Sequence, residues 1–214
     1  MNKDEVIARM LSGGVIPVIR ASSKEEALAV IEAIVAGGIT TLEVTMTVPN
    51  AVELIAELSV REELLIGAGS VLDPETAREC IDAGAQFIVS PATNFDTILY
   101  CNDTEIPVMP GALTPTEVVN AWDAGADLVK VFPADSMGGA KYLRSLKAPL
   151  PQIKLIPTGG VSQVTAADFI RAGAEAVGVG ADLCDVKAVR EGRESDITAA
   201  ARKYLEIVAE ARGS

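Results

Sequence analysis

A degenerate repeat constrains this chain more than any other feature: at four places a helical pattern ends in Ala-Gly and a short β-rich run follows. Ala36-Gly37-Gly38-Ile39 precedes Thr41–Thr45, and Ala83-Gly84-Ala85 precedes Gln86–Ser90. Ala124-Gly125-Ala126 precedes the run around Lys130, and Ala172-Gly173-Ala174 precedes Glu175–Gly180. Glycine just past a helix end is a favoured C-cap because a positive φ costs it little, so each unit reads as helix, cap, strand. Further apolar runs at Val15–Arg20, Leu64–Gly67, Ile106–Pro110 and Ile153–Pro157 bring the strand count to eight. The strands start near 15, 41, 64, 86, 106, 127, 153 and 175, at intervals of 26, 23, 22, 20, 21, 26 and 22 residues. Helical stretches such as Ser23–Val35, Asn50–Leu58, Pro74–Asp82 and Pro115–Asp123 fall between them. Repeated βα units predict a parallel sheet, and eight of them predict an α/β protein with a (β/α)8 TIM barrel near the lower size limit of that fold. With 214 residues, 49% of them apolar, the chain has core material for a single compact domain over 1–214, and residues 1–14 read as an N-terminal helix. A doubly wound open sheet is the alternative. It predicts GxGxxG after the first strand, where Ala21-Ser22-Ser23-Lys24 stands instead.

In a barrel, function collects at the C-terminal strand ends. In chain order these carry Arg20, then Glu43 and Thr45, then Gly67-Ala-Gly-Ser70, then Ser90-Pro91, then Pro110-Gly111. Lys130 with Phe132-Pro133 follows, then Thr158-Gly159-Gly160, and last Gly178-Val-Gly180-Ala181. Each glycine alone reads as a turn residue; their joint placement on one face points to a site. Lys130 stands within Asp127–Pro133, otherwise a fully buried strand by its composition. Desolvation disfavours the ammonium, so a lysine there favours the neutral, nucleophilic amine that Schiff-base chemistry on a carbonyl requires. The alternative is a side chain that snorkels to the rim or pairs with a carboxylate. Glu43, also a charge in an apolar β-run, is the candidate partner, either as the general acid/base or as half of a structural ion pair. Histidine is absent from all 214 residues, which excludes Ser-His-Asp and Cys-His nucleophiles, His-containing zinc sites and imidazole catalysis.

Thr158-Gly159-Gly160 before a helical stretch, together with Gly178-Val-Gly180, suits a phosphate held by backbone N–H groups. Arg20, ending the first strand, could take a carboxylate in bidentate fashion. Lys154 starts its strand and belongs to the opposite, stability face.

The residues also carry a family resemblance. Val15-Ile-Pro-Val-Ile-Arg20, Gly37-Gly38, Leu42-Glu-Val-Thr45, Ile66-Gly-Ala-Gly-Ser-Val-Leu72, Phe87-Ile-Val-Ser-Pro91, Pro110-Gly111, Val129-Lys-Val-Phe-Pro-Ala134, Gly138-Gly139 and Pro157-Thr-Gly-Gly-Val161 together resemble the 2-keto-3-deoxy-6-phosphogluconate (KDPG) aldolases, in order and over essentially the whole chain. The resemblance implies a class I aldolase that yields pyruvate and glyceraldehyde 3-phosphate, as a homotrimer, with no cofactor and no metal. It implies Lys130 as the Schiff-base lysine and Glu43 as the general acid/base. Thr158, Gly159, Gly160 and Gly180 would bind phosphate, with Gly178 in the same loop pair, and Ser70, Pro91 and Phe132 would line the pyruvate pocket. The chain departs from the family pattern at Ser70, where many members carry threonine, and at Thr47, where some carry a carboxylate-binding arginine that others place where Arg20 stands. A third departure is Ala181, where members commonly carry a serine whose hydroxyl reaches the phosphate.

The net charge of −12 and the lack of any Lys/Arg cluster argue against nucleic acid or an anionic membrane as partner and leave room for a small anionic ligand; the resemblance implies a small phosphorylated keto acid. The charged N-terminus lacks a signal-peptide core and no apolar stretch approaches a membrane span, which predicts a cytoplasmic protein. Cys80, Cys101 and Cys184 show no CxxC spacing, so neither a disulfide framework nor a thiolate metal site is expected. Competing readings are aldolases for 4-hydroxy-2-oxoglutarate or the galactonate epimer, a non-catalytic phosphosugar-binding barrel, and a metal-dependent phosphosugar epimerase, which the lack of histidine disfavours.

Overall fold

The computed structural model describes residues 1–213. Its elements run α1 (Lys3–Gly13), β1 (Val15–Ile19), α2 (Lys24–Ala36), β2 (Thr41–Thr45), α3 (Ala51–Ser59), β3 (Leu65–Gly69), α4 (Pro74–Asp82), β4 (Ile88–Val89), α5 (Phe95–Asp103) and β5 (Val108–Met109). They continue with β6 (Gly111–Ala112), α6 (Pro115–Asp123), β7 (Val129–Val131), α7 (Ala140–Lys147), β8 (Leu155–Pro157), α8 (Ala166–Arg171), β9 (Val177–Val179), α9 (Val186–Arg190) and α10 (Glu194–Arg212). The helix α1 falls within the stretch expected to be helical. It is closed at its start by a capping box in which Asn2 accepts from the Glu5 N–H and Glu5 accepts from the Asn2 N–H.

The Ala-Gly repeat has one physical cause. Gly38, Gly84, Gly125 and Gly173 adopt φ of 99°, 102°, 100° and 98°. In α4, the Gly84 N–H donates to Ile81 O and the Ala85 N–H to Cys80 O, both at 2.9 Å, and the same paired closure recurs at Gly125–Ala126 and Gly173–Ala174. This is the Schellman ending, which satisfies the last carbonyls and turns the chain back toward the sheet.

All strand pairs are parallel. The strands form a six-stranded sheet in the order β5-β4-β3-β2-β1-β9 and a three-stranded sheet β6-β7-β8, rather than one continuous eight-stranded ladder. The last strand lies beside the first and the rest follow chain order, unlike the reversal of a doubly wound sheet. The run read as a fifth strand, Ile106–Pro110, keeps only Val108–Met109 as strand, and the short β6 follows beyond Pro110, which has no N–H to give to a ladder. An isolated parallel bridge, Thr158 with Gly178, lies between the ends of β8 and β9.

Side chains alternate between two apolar clusters, as the period of a strand requires. Leu42 and Val44 of β2, Ile66 and Ala68 of β3, and Val129 and Val131 of β7 face the surrounding helices in the larger cluster. Ile16, Leu65, Phe87, Val89, Met109, Leu128 and Ile156 form the second, inner cluster with Val6 and Met10 of α1, so α1 closes the N-terminal end of the strands. Burying Met10 at 0% and Val6 at 4% exposure stabilises this closure by about 1.5–3 kcal/mol for each side chain.

Candidate active site

Lys130 lies between Val129 and Val131, whose side chains face the helices, so its own faces inward with Leu128. Glu43 follows the same rule between Leu42 and Val44. The two meet with Lys130 Nζ 3.8 Å from Glu43 Oε1, their side chains only 3% and 4% exposed. The lysine therefore does not snorkel to the rim. Glu43 Oε1 is buried without a hydrogen-bond partner, and 3.8 Å is too long for Lys130 to supply one. An unpaired buried carboxylate oxygen is costly and, in a folded protein, calls for an explanation. The Phe132 ring centroid lies 5.3 Å from Nζ, which gives a bound cation at that position a favourable aromatic face.

Room for the carboxylate comes from Gly69, two residues beyond Gly67, which sits opposite Glu43 in the β2–β3 register. A Cβ at Gly69 would lie 2.0 Å from Glu43 Oε1, so the carboxylate occupies the notch that glycine leaves. Ser70, half-buried just beyond β3, takes a left-handed φ of 61°, an uncommon conformation for a residue with a side chain. The Thr45 hydroxyl donates to Ile19 O at 2.8 Å and lies 2.6 Å from the Thr47 hydroxyl, tying the C-terminal end of β2 to that of β1.

Arg20, Phe132, Thr158, Gly159, Gly160 and Gly180 line one cleft of about 270 Å³, together with Ala181 and Asp182. Gly159 and Gly160 have φ of 99° and 68°, and Gly178 makes room for the Thr158 hydroxyl, which a Cβ there would approach to 2.2 Å. Pro91 lies apart from that cleft, in a neighbouring cavity of about 440 Å³ with Gly111 and Phe132. Phe132 lines both. Lys154 precedes β8 at its N-terminal end, away from the site.

Thiol chemistry is suppressed throughout. Burial pushes the Cys80 thiol up to about 11 and the Cys101 thiol up to about 12. Cys184 is raised as well, by burial first and then by the charge of Glu43. Among the described residues no group of three or more His, Cys, Asp or Glu side chains is arranged to hold a metal ion.

Two features of the site escaped the sequence reading. The Gly69 notch looked like one glycine among several in a loop motif. Asp182, which accepts from the Tyr204 hydroxyl and from the Gln163 N–H at 3.3 Å, carried no signal, because its partners lie on separate segments.

Residues 6–200 match the model of the "KDPG and KHG aldolase" family. The chain is 34% identical over 197 residues to a 2-dehydro-3-deoxy-phosphogluconate aldolase of Treponema pallidum (strain Nichols), covering 91% of this chain and 93% of that protein. It is 34% identical over 198 residues to the KHG/KDPG aldolase of Escherichia coli (strain K12), covering 92% and 93%. Among solved structures it superposes on KDPG aldolase from Legionella pneumophila, which holds pyruvate as a covalent carbinolamine intermediate, with a TM-score of 0.84 and 32% identity over 92% of this chain and 96% of that one. An inward lysine and carboxylate, an adjoining glycine-lined cleft and similarity along nearly the full chain converge: this chain belongs to the KDPG and KHG aldolase family.

Proposed function

We propose that the protein is a class I aldolase that cleaves 2-keto-3-deoxy-6-phosphogluconate to pyruvate and glyceraldehyde 3-phosphate. The observation that carries this reading is the Lys130–Glu43 pair, buried on an apolar inner face with Glu43 Oε1 lacking a hydrogen bond. In its neutral form the Lys130 amine adds to the C2 carbonyl, and Glu43 gives and takes the protons of carbinolamine formation and dehydration to the iminium. Glu43 then removes the proton of the C4 hydroxyl. The C3–C4 bond breaks, its electron pair passes into the C2–C3 enamine with the iminium nitrogen as sink, and the aldehyde leaves. Protonation at C3 by Glu43 and hydrolysis of the iminium release pyruvate and restore the amine. The Phe132 face supports the cationic iminium at the nitrogen.

Arg20 takes the substrate carboxylate, while the backbone at Thr158, Gly159, Gly160, Gly178 and Gly180 holds the phosphate. Ser70, Pro91, Thr45 and Phe132 shape the pyruvate end. The strands act as a single closed (β/α)8 domain. Its support is the last strand beside the first, the continuous run from β5 through Pro110 into β6, and the Thr158–Gly178 bridge. Assembly as a homotrimer is supported by the apolar side chains left on one face, Leu72, Phe95 and Leu99, at 57%, 56% and 60% exposure. Three free cysteines suit a reducing, cytoplasmic setting.

Incubation with pyruvate and borohydride, followed by peptide mass spectrometry, tests the mechanism. A reduced pyruvate adduct on Lys130 is expected. No adduct on folded protein would sink the Schiff-base reading, and Lys130→Ala should lose both adduct and cleavage. Relative kcat/KM for the gluconate substrate, its galactonate epimer and 4-hydroxy-2-oxoglutarate tests the substrate assignment.

A further inference from the structure

We infer that Asp182 and Tyr204 form a clasp that sets the separation of the two glycine loops at the distal end of the cleft, making them positioning residues for the terminal phosphate; this rests on the aldolase reading above. A single oxygen, Asp182 Oδ2, accepts from the Tyr204 hydroxyl and from the Gln163 N–H at 3.3 Å. Asp182 follows β9, Gln163 follows β8 and Tyr204 belongs to α10, so three segments distant in sequence converge on it. Tyr204 is 0% exposed and packed in the main core, which makes it a fixed anchor rather than a surface contact. Burial and the Asp182 carboxylate hold its hydroxyl well above the ordinary tyrosine range, so it remains a donor at neutral pH.

The two loops that the clasp joins carry Thr158, Gly159 and Gly160 on one side and Gly180 and Ala181 on the other, the walls of one cleft. Ala181 offers no hydroxyl, so affinity for a phosphate there depends on the aim of backbone N–H groups and hence on how the loops are held. A carboxylate beside a phosphate site is otherwise a liability. Here its charge is drawn toward two donors supplied by the protein, which reduces the repulsion a ligand meets.

Tyr204→Phe removes the anchoring hydroxyl and leaves the charge of Asp182 in place. Its kcat/KM for 2-keto-3-deoxy-6-phosphogluconate should fall about tenfold, mainly through KM, as expected for losing a hydrogen bond to a charged group. Exchange of the pyruvate methyl protons with solvent, which needs Lys130 and Glu43 but no phosphate, should stay within about twofold of wild type. Affinity for inorganic phosphate, measured by titration calorimetry, should fall by the same factor of about ten. Equal losses in cleavage and exchange, or unchanged cleavage and phosphate affinity, would overturn the clasp. Asp182→Asn keeps an acceptor and drops the charge, so its phosphate affinity should lie at or below that of wild type. A rise would mean that the carboxylate acts by repelling the ligand, and would also overturn the proposal. The borohydride adduct on Lys130 is independent of these readouts, so its absence would count against the aldolase reading, while the inorganic phosphate titration would still decide the clasp.

Discussion

Gly69→Ala moves the proposed acid/base without changing its chemistry. The added Cβ would fall 2.0 Å from Glu43 Oε1 and 2.6 Å from its Cγ and Cδ. Ordinary contact requires about 3.4 Å, so the carboxylate must retreat by roughly 1.4 Å. Gly69 has no positive φ, so alanine fits its backbone and the clash alone carries the effect. Overpacking of this kind costs about 1–3 kcal/mol of stability, and a displacement near 1 Å in a catalytic group costs about 10²-fold in rate. We therefore expect a folded variant with a modestly lower Tm, kcat for cleavage reduced about 10²-fold, and pyruvate methyl exchange slowed in parallel, read by a coupled pyruvate assay and by NMR in D2O. Gly67→Ala provides the contrast. Its Cβ would meet the Phe87 ring at 2.1 Å in the inner cluster, so it should act mainly on Tm. A folded Gly69→Ala enzyme with kcat within about threefold of wild type would refute the assignment of proton transfer to Glu43.

Other expectations follow from the same geometry. Glu43→Gln preserves size and should slow pyruvate methyl exchange by about 10²–10⁴-fold; wild-type exchange in that variant would remove Glu43 from the chemistry. With every thiol raised by burial, iodoacetamide at pH 7.5 should label Cys80, Cys101 and Cys184 only after unfolding, and rapid native labelling seen by mass spectrometry would contradict their burial. Glu26 is held at about 2, below its ordinary 4.5, by the Arg190 guanidinium first and then the Ser22 hydroxyl. Because the folded value is depressed, this link between α2 and α9 is fully present above about 4.5 and is lost as pH falls toward 2. Arg190→Gln should bring Glu26 back toward its ordinary value in a carboxyl NMR titration, and an unmoved Glu26 would be inconsistent with that link.

Much of this was legible in the sequence because the repeat is local physics. Pro74–Asp82 and Pro115–Asp123 are helices over the residues read as helical, and their caps at Asp73 and Thr114 involve only neighbours. Lys130 and Glu43 stood out because a charge in an apolar strand violates the pattern around it. The short strand beyond Pro110 was less visible, as it depends on which neighbour each side pairs with: β5 with β4, and β6 with β7. Tyr204, in α10, carried no signal in the sequence. Its hydroxyl acquires a role only through a loop brought close by the fold.

The seal that Val6 and Met10 make beneath the strands bears on the order of events in catalysis. With that end filled by side chains, the proposed chemistry would bring reactants to Lys130 from the opposite side, where Arg20, Phe132 and the glycine loops line a cleft. Under that chemistry the fragment bonded to the lysine would lie against the inner apolar cluster, with its partner on the side of the cleft. Under the proposed chemistry the aldehyde must depart before pyruvate can, and in the reverse direction pyruvate must enter first. The apolar seal at one end would thereby reinforce, through access, the last-in, first-out order that the covalent bond to Lys130 already imposes.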